Sequence, residues 1–262
     1  MKILGLQHDI VWEDPTANFV RVKEQLSAAR PEPGTLVVLP EMFGTGFTMN
    51  AALAEQETGP TSQFLSNLAR EHLVGIVAGV AMVGADGLPR NCAVAFSSAG
   101  DLVSSYAKMR PFNPGGEGKS YAAGRQVVAF RSGEWTISPF ICYDLRFPEL
   151  FRTAAALHRP DLFVVIANFP ARRTDQWRLM LQARAIENQA WVIGVNRVGS
   201  DPVAVYAGHS LIANPYGQIV AGAGETQEIL RWELDLQLVR DYRRNLPFLD
   251  DVGTGWGRAL QD

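Results

Sequence analysis

Cysteine is scarce in this sequence, since Cys92 and Cys142 are the two cysteines among 262 residues and they form no CxxC pair. A small secreted disulfide scaffold carries more cysteines, so the sequence predicts a protein of the reducing cytoplasm. Histidine is also rare, with four residues, and the sequence holds no segment with the spacing of metal ligands. No glycine-rich phosphate loop follows a strand. We therefore expect no metal and no cofactor.

Long apolar runs and a strong net charge are missing as well. No run reaches the roughly 18 apolar residues of a membrane helix, and the apolar start of the chain is too short for the core of a signal peptide. The formal net charge is −3, and charged residues make up 19% of the chain. Such values give no sign of a basic nucleic-acid surface or of a disordered tail. We expect neither nucleic acid nor a membrane among the partners.

The chain instead alternates short apolar runs with amphipathic stretches, and 47% of its residues are hydrophobic. Asp14 and Pro15 mark a first helix start, as N-cap and first-turn residue. Period and turn signals predict further helices over 62–72, 147–157 and 174–190. They predict strands over 3–7, 35–40, 74–82, 91–97, 102–106, 135–141, 162–167 and 191–196, with three short strands near Ser210, Ile219 and Leu230.

This order of elements predicts an α/β fold. Strand and helix units come first, three strands joined by glycine turns follow, and strand and helix units return. The order favours two mixed sheets packed face to face with helices outside, a four-layer αββα sandwich. No linker or short repeat interrupts it, so we expect one domain over residues 1–262. The segment 243–251 is mixed in character and is expected to dock on the surface or on a partner subunit.

Three reactive side chains stand directly after apolar strands, where a side chain reaches the rim of a sheet and can meet a ligand. Glu41 follows 36–40, Lys108 follows 102–107 and Cys142 follows 135–141. Taken singly, Glu41 and Lys108 also fit solvated loop positions, and a free cysteine is most often a small buried hydrophobe. Together they supply a base, a cation and a thiol.

Of the two cysteines, Cys142 has the flanking residues expected of a nucleophile. Tyr143, Asp144 and Arg146 follow it at a strand-to-helix turn, which exposes a nucleophile and leaves backbone N–H groups free for an oxyanion. We interpret Asp144 and Arg146 as structural, with an ion pair that holds the turn. Cys92 lies within a strand pattern and is expected in the core.

The base for this thiol is expected to be a carboxylate. Cysteine hydrolases commonly use histidine. None of the four histidines, His8, His72, His158 and His209, has flanking residues that pair it with Cys142. A carboxylate such as Glu41 is therefore the more natural base here.

These residues resemble the motifs of the nitrilase superfamily of carbon–nitrogen hydrolases. The matching segments are 39–43, 106–108, 116–124 and 141–149, in the family's order, and the resemblance covers nearly the whole chain. It implies an αββα fold that forms homodimers or higher homo-oligomers. It also implies that Cys142 attacks an amide carbonyl, that Glu41 is the general base, and that Glu117 is an accessory carboxylate. The Lys108 ammonium and the N–H of Tyr143 would then hold the oxyanion.

Within the superfamily the chain looks similar to the bacterial omega-amidase branch, through segments 41–49, 182–190, 195–199 and 246–251. That branch hydrolyses the terminal amide of 2-oxoglutaramate and related dicarboxylic acid monoamides, so the implied partners are a small amide and water. Two departures bear on the substrate pocket. Residues 109–112, ending at Phe112, replace the usual stretch after the lysine, and Phe169 stands where relatives often carry tryptophan.

Substrate recognition and the exact substrate remain open at this point. Arg172 and Arg173 follow a strand that ends near Asn168 and could bind a substrate carboxylate, or they could form a solvated basic turn. Two alternatives keep the chemistry and change the substrate, namely a deaminated glutathione amidase and an N-carbamoyl amino acid amidohydrolase. A true nitrilase is disfavoured by the residues after Cys142. A catalytically silent binding or scaffold protein on the same fold is the alternative from another class.

Overall fold

The computed structural model describes residues 1–252 of the chain. Its fourteen strands are β1 Lys2–Gln7, β2 Leu36–Val38, β3 Gly75–Val83, β4 Pro89–Phe96, β5 Leu102–Ala107, β6 Phe130–Ser132, β7 Trp135–Ile141, β8 Leu162–Ala167, β9 Trp191–Asn196, β10 Val198–Ser200, β11 Val205–Ala207, β12 Leu211–Ala213, β13 Ile219–Gly222 and β14 Glu228–Glu233. Its six α-helices are α1 Pro15–Ala29, α2 Pro60–His72, α3 Glu117–Ser120, α4 Pro148–His158, α5 Thr174–Asn188 and α6 Leu236–Asn245.

Twelve of the strands form two six-stranded mixed sheets. The first has the order β14-β1-β2-β3-β4-β5, with β1, β2 and β3 parallel and the other neighbours antiparallel. The second has the order β13-β12-β9-β8-β7-β6, with β7, β8 and β9 parallel. Strands β10 and β11 form a separate two-stranded hairpin.

The side-chain period of two along the strands sorts the core into layers. On β2, Leu36 and Val38 face a core shared with the second sheet, whereas Val37 packs with Val22 and Leu26 of α1. The second sheet buries its outer face against α4 and α5, through residues such as Phe151, Ala154, Trp177 and Leu181. Helix, sheet, sheet and helix therefore stack in this order, and the predicted four-layer αββα sandwich is confirmed.

Most predicted elements are present, and several short ones were missed. The Asp14 side chain caps α1 as predicted by accepting a hydrogen bond from the N–H of Ala17 at 3.0 Å. Strands β6, β10 and β11 have three residues each, too few for a pattern of period two to emerge. Helix α6 was also missed; it lies at the surface and buries one residue, Val239.

The segment 243–251 docks on its own chain. The Arg243 guanidinium donates to the backbone carbonyls of Gln189 at 3.1 Å and Arg159 at 3.2 Å, and Leu249 is buried in the main core. Contact with a partner subunit stays a prediction. So does the single domain over 1–262, of which residues 253–262 lie outside the described part.

The topology brings several strand ends to one rim. Strands β2, β7 and β8 are parallel members of their sheets, and Glu41, Cys142 and Asn168 follow their carboxyl ends. In α/β sheets, ligands bind at the carboxyl ends of such strands. The two sheets pack face to face, so this rim collects residues that lie far apart in the sequence.

Candidate active site

Lys108 lies between two carboxylates at the centre of the site. Its Nζ donates to Oε1 of Glu41 and to Oε2 of Glu117, both at 2.8 Å. All three side chains are at most 1% exposed. Buried charges of this kind are tolerated when they are paired and hydrogen-bonded, as they are here.

Two asparagines that the sequence analysis missed complete the hydrogen bonding of this cluster. The Asn91 amide donates to Oε1 of Glu41 at 2.7 Å and to Oε1 of Glu117 at 2.8 Å. The backbone N–H of Asn168 donates to Oε2 of Glu41 at 2.8 Å, and its side-chain amide donates to the Glu41 carbonyl at 2.7 Å. Asn168 directly follows strand β8, so the strand-end criterion that identified Glu41, Lys108 and Cys142 could also have identified it.

Cys142 begins the turn that follows β7, as predicted. Its φ of 45° lies in the left-handed region, which non-glycine residues seldom adopt and which occurs often at functional sites. The residue is partly exposed, and its thiol lies 3.8 Å from the carbonyl oxygen of Asn168. Because that asparagine also holds Glu41, one residue links the thiol to the carboxylate cluster.

The charges of the cluster set the protonation of the thiol and the amine. Burial raises the pKa of the Cys142 thiol well above its ordinary value, Glu41 raises it further, and Lys108 opposes the rise. Burial alone would lower the pKa of Lys108, but the charges of Glu117 and Glu41 outweigh burial and raise it. The resting site therefore holds a neutral thiol beside a charged ammonium group, and attack by sulfur requires a base.

Asp144 does not pair with Arg146, so the expected ion pair is wrong. The buried Asp144 carboxylate instead accepts from the Tyr106 hydroxyl at 2.8 Å and from two backbone N–H groups. Arg146 turns away to donate to Gln176 at 2.6 Å, and its guanidinium lies 5.7 Å from the ring centroid of Phe169. The short 3₁₀ turn of 142–146 separates the two side chains.

A cavity of about 630 Å³ opens above Cys142. Its lining includes all five residues predicted to bind substrate, which are Phe112, Tyr143, Phe169, Arg172 and Arg173. It also includes the hairpin tip at 201–206, which the sequence analysis missed because the strands on either side are so short. The volume lies within the range of about 300–1,000 Å³ typical of small-molecule sites.

The arginines give this cavity a cationic wall. Burial lowers the pKa of Arg173, and the charges of Arg172 and Arg146 lower it further. The Arg173 guanidinium lies 5.3 Å from the ring centroid of Phe112. The Phe112 N–H donates to Oε2 of Glu117 at 2.5 Å, so this aromatic ring is tied to the buried cluster. A bound anion would relieve the repulsion among the three arginines.

Residues 1–252 lack both a cluster of metal ligands and a membrane-spanning helix. No group of three or more His, Cys, Asp and Glu side chains in that part of the chain is arranged to hold a metal ion. No helix there combines the length and the apolar character needed to cross a bilayer.

The family model described as carbon–nitrogen hydrolase matches residues 4–244. The omega-amidase YafV of Escherichia coli strain K12 is 36% identical over 254 residues, covering 96% of each chain. The 2-oxoglutaramate amidase of Bacillus subtilis is 33% identical and covers 94% of this chain and 95% of its own. The crystal structure of XC1258 from Xanthomonas campestris, a CN-hydrolase superfamily protein with an arsenic adduct in its active site, superposes with a TM-score of 0.89 at 31% identity, covering 97% of each chain.

The chain therefore belongs to the carbon–nitrogen hydrolase family of the nitrilase superfamily, in its omega-amidase-like branch. It is a hydrolase of carbon–nitrogen bonds other than peptide bonds, which confirms the enzyme class expected from the sequence.

Proposed function

We propose that this chain hydrolyses the terminal amide of small dicarboxylic acid monoamides such as 2-oxoglutaramate, with release of ammonia through a Cys142 thioester. The observation that carries the proposal is that Cys142 lines a cavity with a cationic wall, next to a buried Glu41–Lys108–Glu117 cluster. Omega-amidases and 2-oxoglutaramate amidases are among the proteins most similar in sequence.

In the first half-reaction, Glu41 accepts the thiol proton while Cys142 Sγ attacks the amide carbonyl carbon. The raised pKa of the thiol makes this base necessary. The oxyanion that forms is held by the Lys108 ammonium and the N–H of Tyr143, donors of a kind whose loss typically costs about 100- to 1,000-fold in rate. Glu41 then gives its proton to the departing nitrogen, the carbon–nitrogen bond breaks, and ammonia leaves.

In the second half-reaction, Glu41 accepts a proton from water as the water oxygen attacks the thioester carbonyl. The carbon–sulfur bond breaks, the proton returns to the Cys142 sulfur, and the carboxylic acid product leaves. Glu117 serves as an accessory carboxylate that positions Lys108 through the 2.8 Å hydrogen bond. Lys108 is charged in the resting site, because the charges of Glu117 and Glu41 raise its pKa.

Side chains of the cavity wall orient the substrate. Arg172 and Arg173 bind the carboxylate at the far end of the monoamide, because a guanidinium matches a carboxylate in both charge and geometry. Phe112 and Phe169 flank the carbon chain between the carboxylate and the amide. We further propose that the protein works in the cytoplasm as a homodimer.

The test is ammonia release from 2-oxoglutaramate, succinamate, deaminated glutathione and an N-carbamoyl amino acid. Wild type is compared with Cys142→Ala, and Cys92→Ala serves as the matched control because that thiol is buried in strand β4. We expect preferred turnover of the first two compounds, lost in Cys142→Ala and kept in Cys92→Ala. Preferred turnover of another compound would overturn the substrate, and turnover of none would favour a binding protein.

A further inference from the structure

The Asp144 carboxylate joins the two segments that carry the thiol and the ammonium group. Its Oδ2 accepts from the Tyr106 hydroxyl at 2.8 Å and from the N–H of Ile141 at 3.1 Å, and its Oδ1 accepts from the N–H of Arg110 at 2.9 Å. Tyr106 and Arg110 stand two residues before and after Lys108, and Ile141 directly precedes Cys142. One side chain thus bridges both segments.

The Asp144 carboxylate lies in the interior, where the low dielectric strengthens its hydrogen bonds. Asp144 and Tyr106 are each fully buried, and no cationic side chain of residues 1–252 forms a salt bridge with Asp144. A buried carboxylate without a cationic partner is costly to retain. All three of its partners are N–H or O–H donors, an arrangement that suits an ionised carboxylate.

The backbone geometry of Cys142 indicates what the hydrogen bonds of Asp144 do. The φ of 45° at Cys142 holds the thiol in a backbone conformation that surrounding contacts must maintain. The Asp144 bond to Ile141 restrains the residue just before this strained position. The bonds to Tyr106 and Arg110 restrain the segment that presents Lys108.

We propose that Asp144 is a positioning residue, which sets the placement of the Cys142 thiol relative to the Lys108 ammonium group by holding both segments on one carboxylate. It touches neither substrate nor the reacting atoms. The inference rests on the proposed function in taking Cys142 as the nucleophile. It adds to the proposed mechanism a residue that lies outside the Glu41–Lys108–Glu117 cluster.

The test compares Asp144→Asn with Asp161→Asn, a matched control because each carboxylate accepts from a backbone N–H of strand β7. Asp161 accepts from the N–H of Thr136 at 2.9 Å, near the start of β7, whereas Asp144 acts at the end that leads to Cys142. We expect Asp144→Asn to lower kcat by about 100-fold with KM little changed, because misplacement of reacting groups by about 1 Å costs that much. Asp161→Asn is expected to lower stability and to leave kcat near the wild-type value.

A second variant keeps the test decisive if Asp144→Asn does not fold. Tyr106→Phe keeps the buried ring and removes one of the three donors, so kcat is expected to fall by about 10-fold, the value of one hydrogen bond. An unchanged kcat in folded Asp144→Asn and Tyr106→Phe would overturn the proposal. So would equal losses in Asp144→Asn and Asp161→Asn.

Alkylation of Cys142 by iodoacetamide, followed by mass spectrometry at pH 8, gives a readout without any amide substrate. A thiol displaced from Lys108 reacts more slowly, so we expect slower alkylation in Asp144→Asn. Unchanged alkylation would mean that the thiol keeps its place without the Asp144 carboxylate, and faster alkylation would mean that the lost negative charge matters more than placement. Either result would contradict a positioning role. If wild type hydrolyses no amide, the proposed function fails while this measurement still decides the role of Asp144.

Discussion

Lys108 Nζ donates to Oε1 of Glu41 at 2.8 Å, in a place where neither side chain is more than 1% exposed. Glu117 approaches the same ammonium group at the same distance. Glu41, Lys108 and Glu117 stabilise one another, because removing any one of them leaves a buried charge without its partner.

Replacing Lys108 by Met is expected to destabilise the protein by about 3–5 kcal/mol and to abolish turnover, because two buried carboxylates lose their cation. Urea denaturation and ammonia release measure the two effects. Lys23→Met is the control, since Lys23 pairs with Glu71 at 3.2 Å with both side chains at least half exposed. That change is expected to cost less than about 1 kcal/mol, and an equal cost in both variants would contradict the expectation.

The alkylation rate of Cys142 is expected to keep rising with pH above pH 9, without a plateau near neutrality. Burial and Glu41 hold the pKa of this thiol well above its ordinary value, so the reactive thiolate gains population only at high pH. The rate of iodoacetamide modification between pH 6 and pH 10 measures this. Cys142→Ala provides the background from Cys92, whose pKa burial raises to about 12. A plateau near pH 7 would show a resting thiolate instead.

Asp144 is expected to make stability depend on pH. Burial raises the pKa of its carboxyl from 3.8 to about 7, against the opposing charge of Lys108 and the hydrogen bond from Tyr106. Between these two values the folded state binds more protons than the unfolded state. The contribution of Asp144 to the free energy of unfolding is therefore largest at low pH and falls as the pH rises from about 4 to 7.

The measurement compares wild type with Asp144→Asn in urea at several pH values between 4 and 8. The stability of wild type minus that of the variant is expected to fall across this window by up to roughly 4 kcal/mol. The Tyr106 hydroxyl and the Lys108 ammonium group face this carboxylate and affect how the stability difference depends on pH. A difference that stays constant with pH would mean that Asp144 does not titrate in this range.

Gly79 on strand β3 is expected to tolerate no side chain. A Cβ there would lie 2.4 Å from the Glu41 Cα and 2.4 Å from the Met42 nitrogen, and backbone atoms cannot move aside as a flexible side chain can. Gly79→Ala should cost about 1–3 kcal/mol in stability. It should also lower kcat, because Glu41 is displaced. Gly222→Ala is the control, since its Cβ would meet one atom within 4 Å, in Ile219 at 3.8 Å. Equal kcat values in the two variants would argue against this close approach.

The positions of the candidate catalytic residues were predictable where the signal is local. Glu41, Lys108 and Cys142 each follow a strand, and the alternation of apolar residues along a strand can be read without knowing its neighbours. The family motifs then added Glu117. The ion pair expected between Asp144 and Arg146 was wrong because closeness in sequence does not set side-chain direction at a tight turn.

The layered α/β fold, the family and the strand-end positions of Glu41, Lys108 and Cys142 could be read from the chain alone, because hydrophobic period and motif spacing are properties of short segments. The groups that donate hydrogen bonds to Glu41 could not be read in this way. Asn91 and Asn168 lie 50 and 127 positions from it and meet it through the packing of two sheets. The cavity wall at 201–206 and the bridge made by Asp144 arise in the same way. Their hydrogen bonds depend on distances between segments that no local propensity specifies.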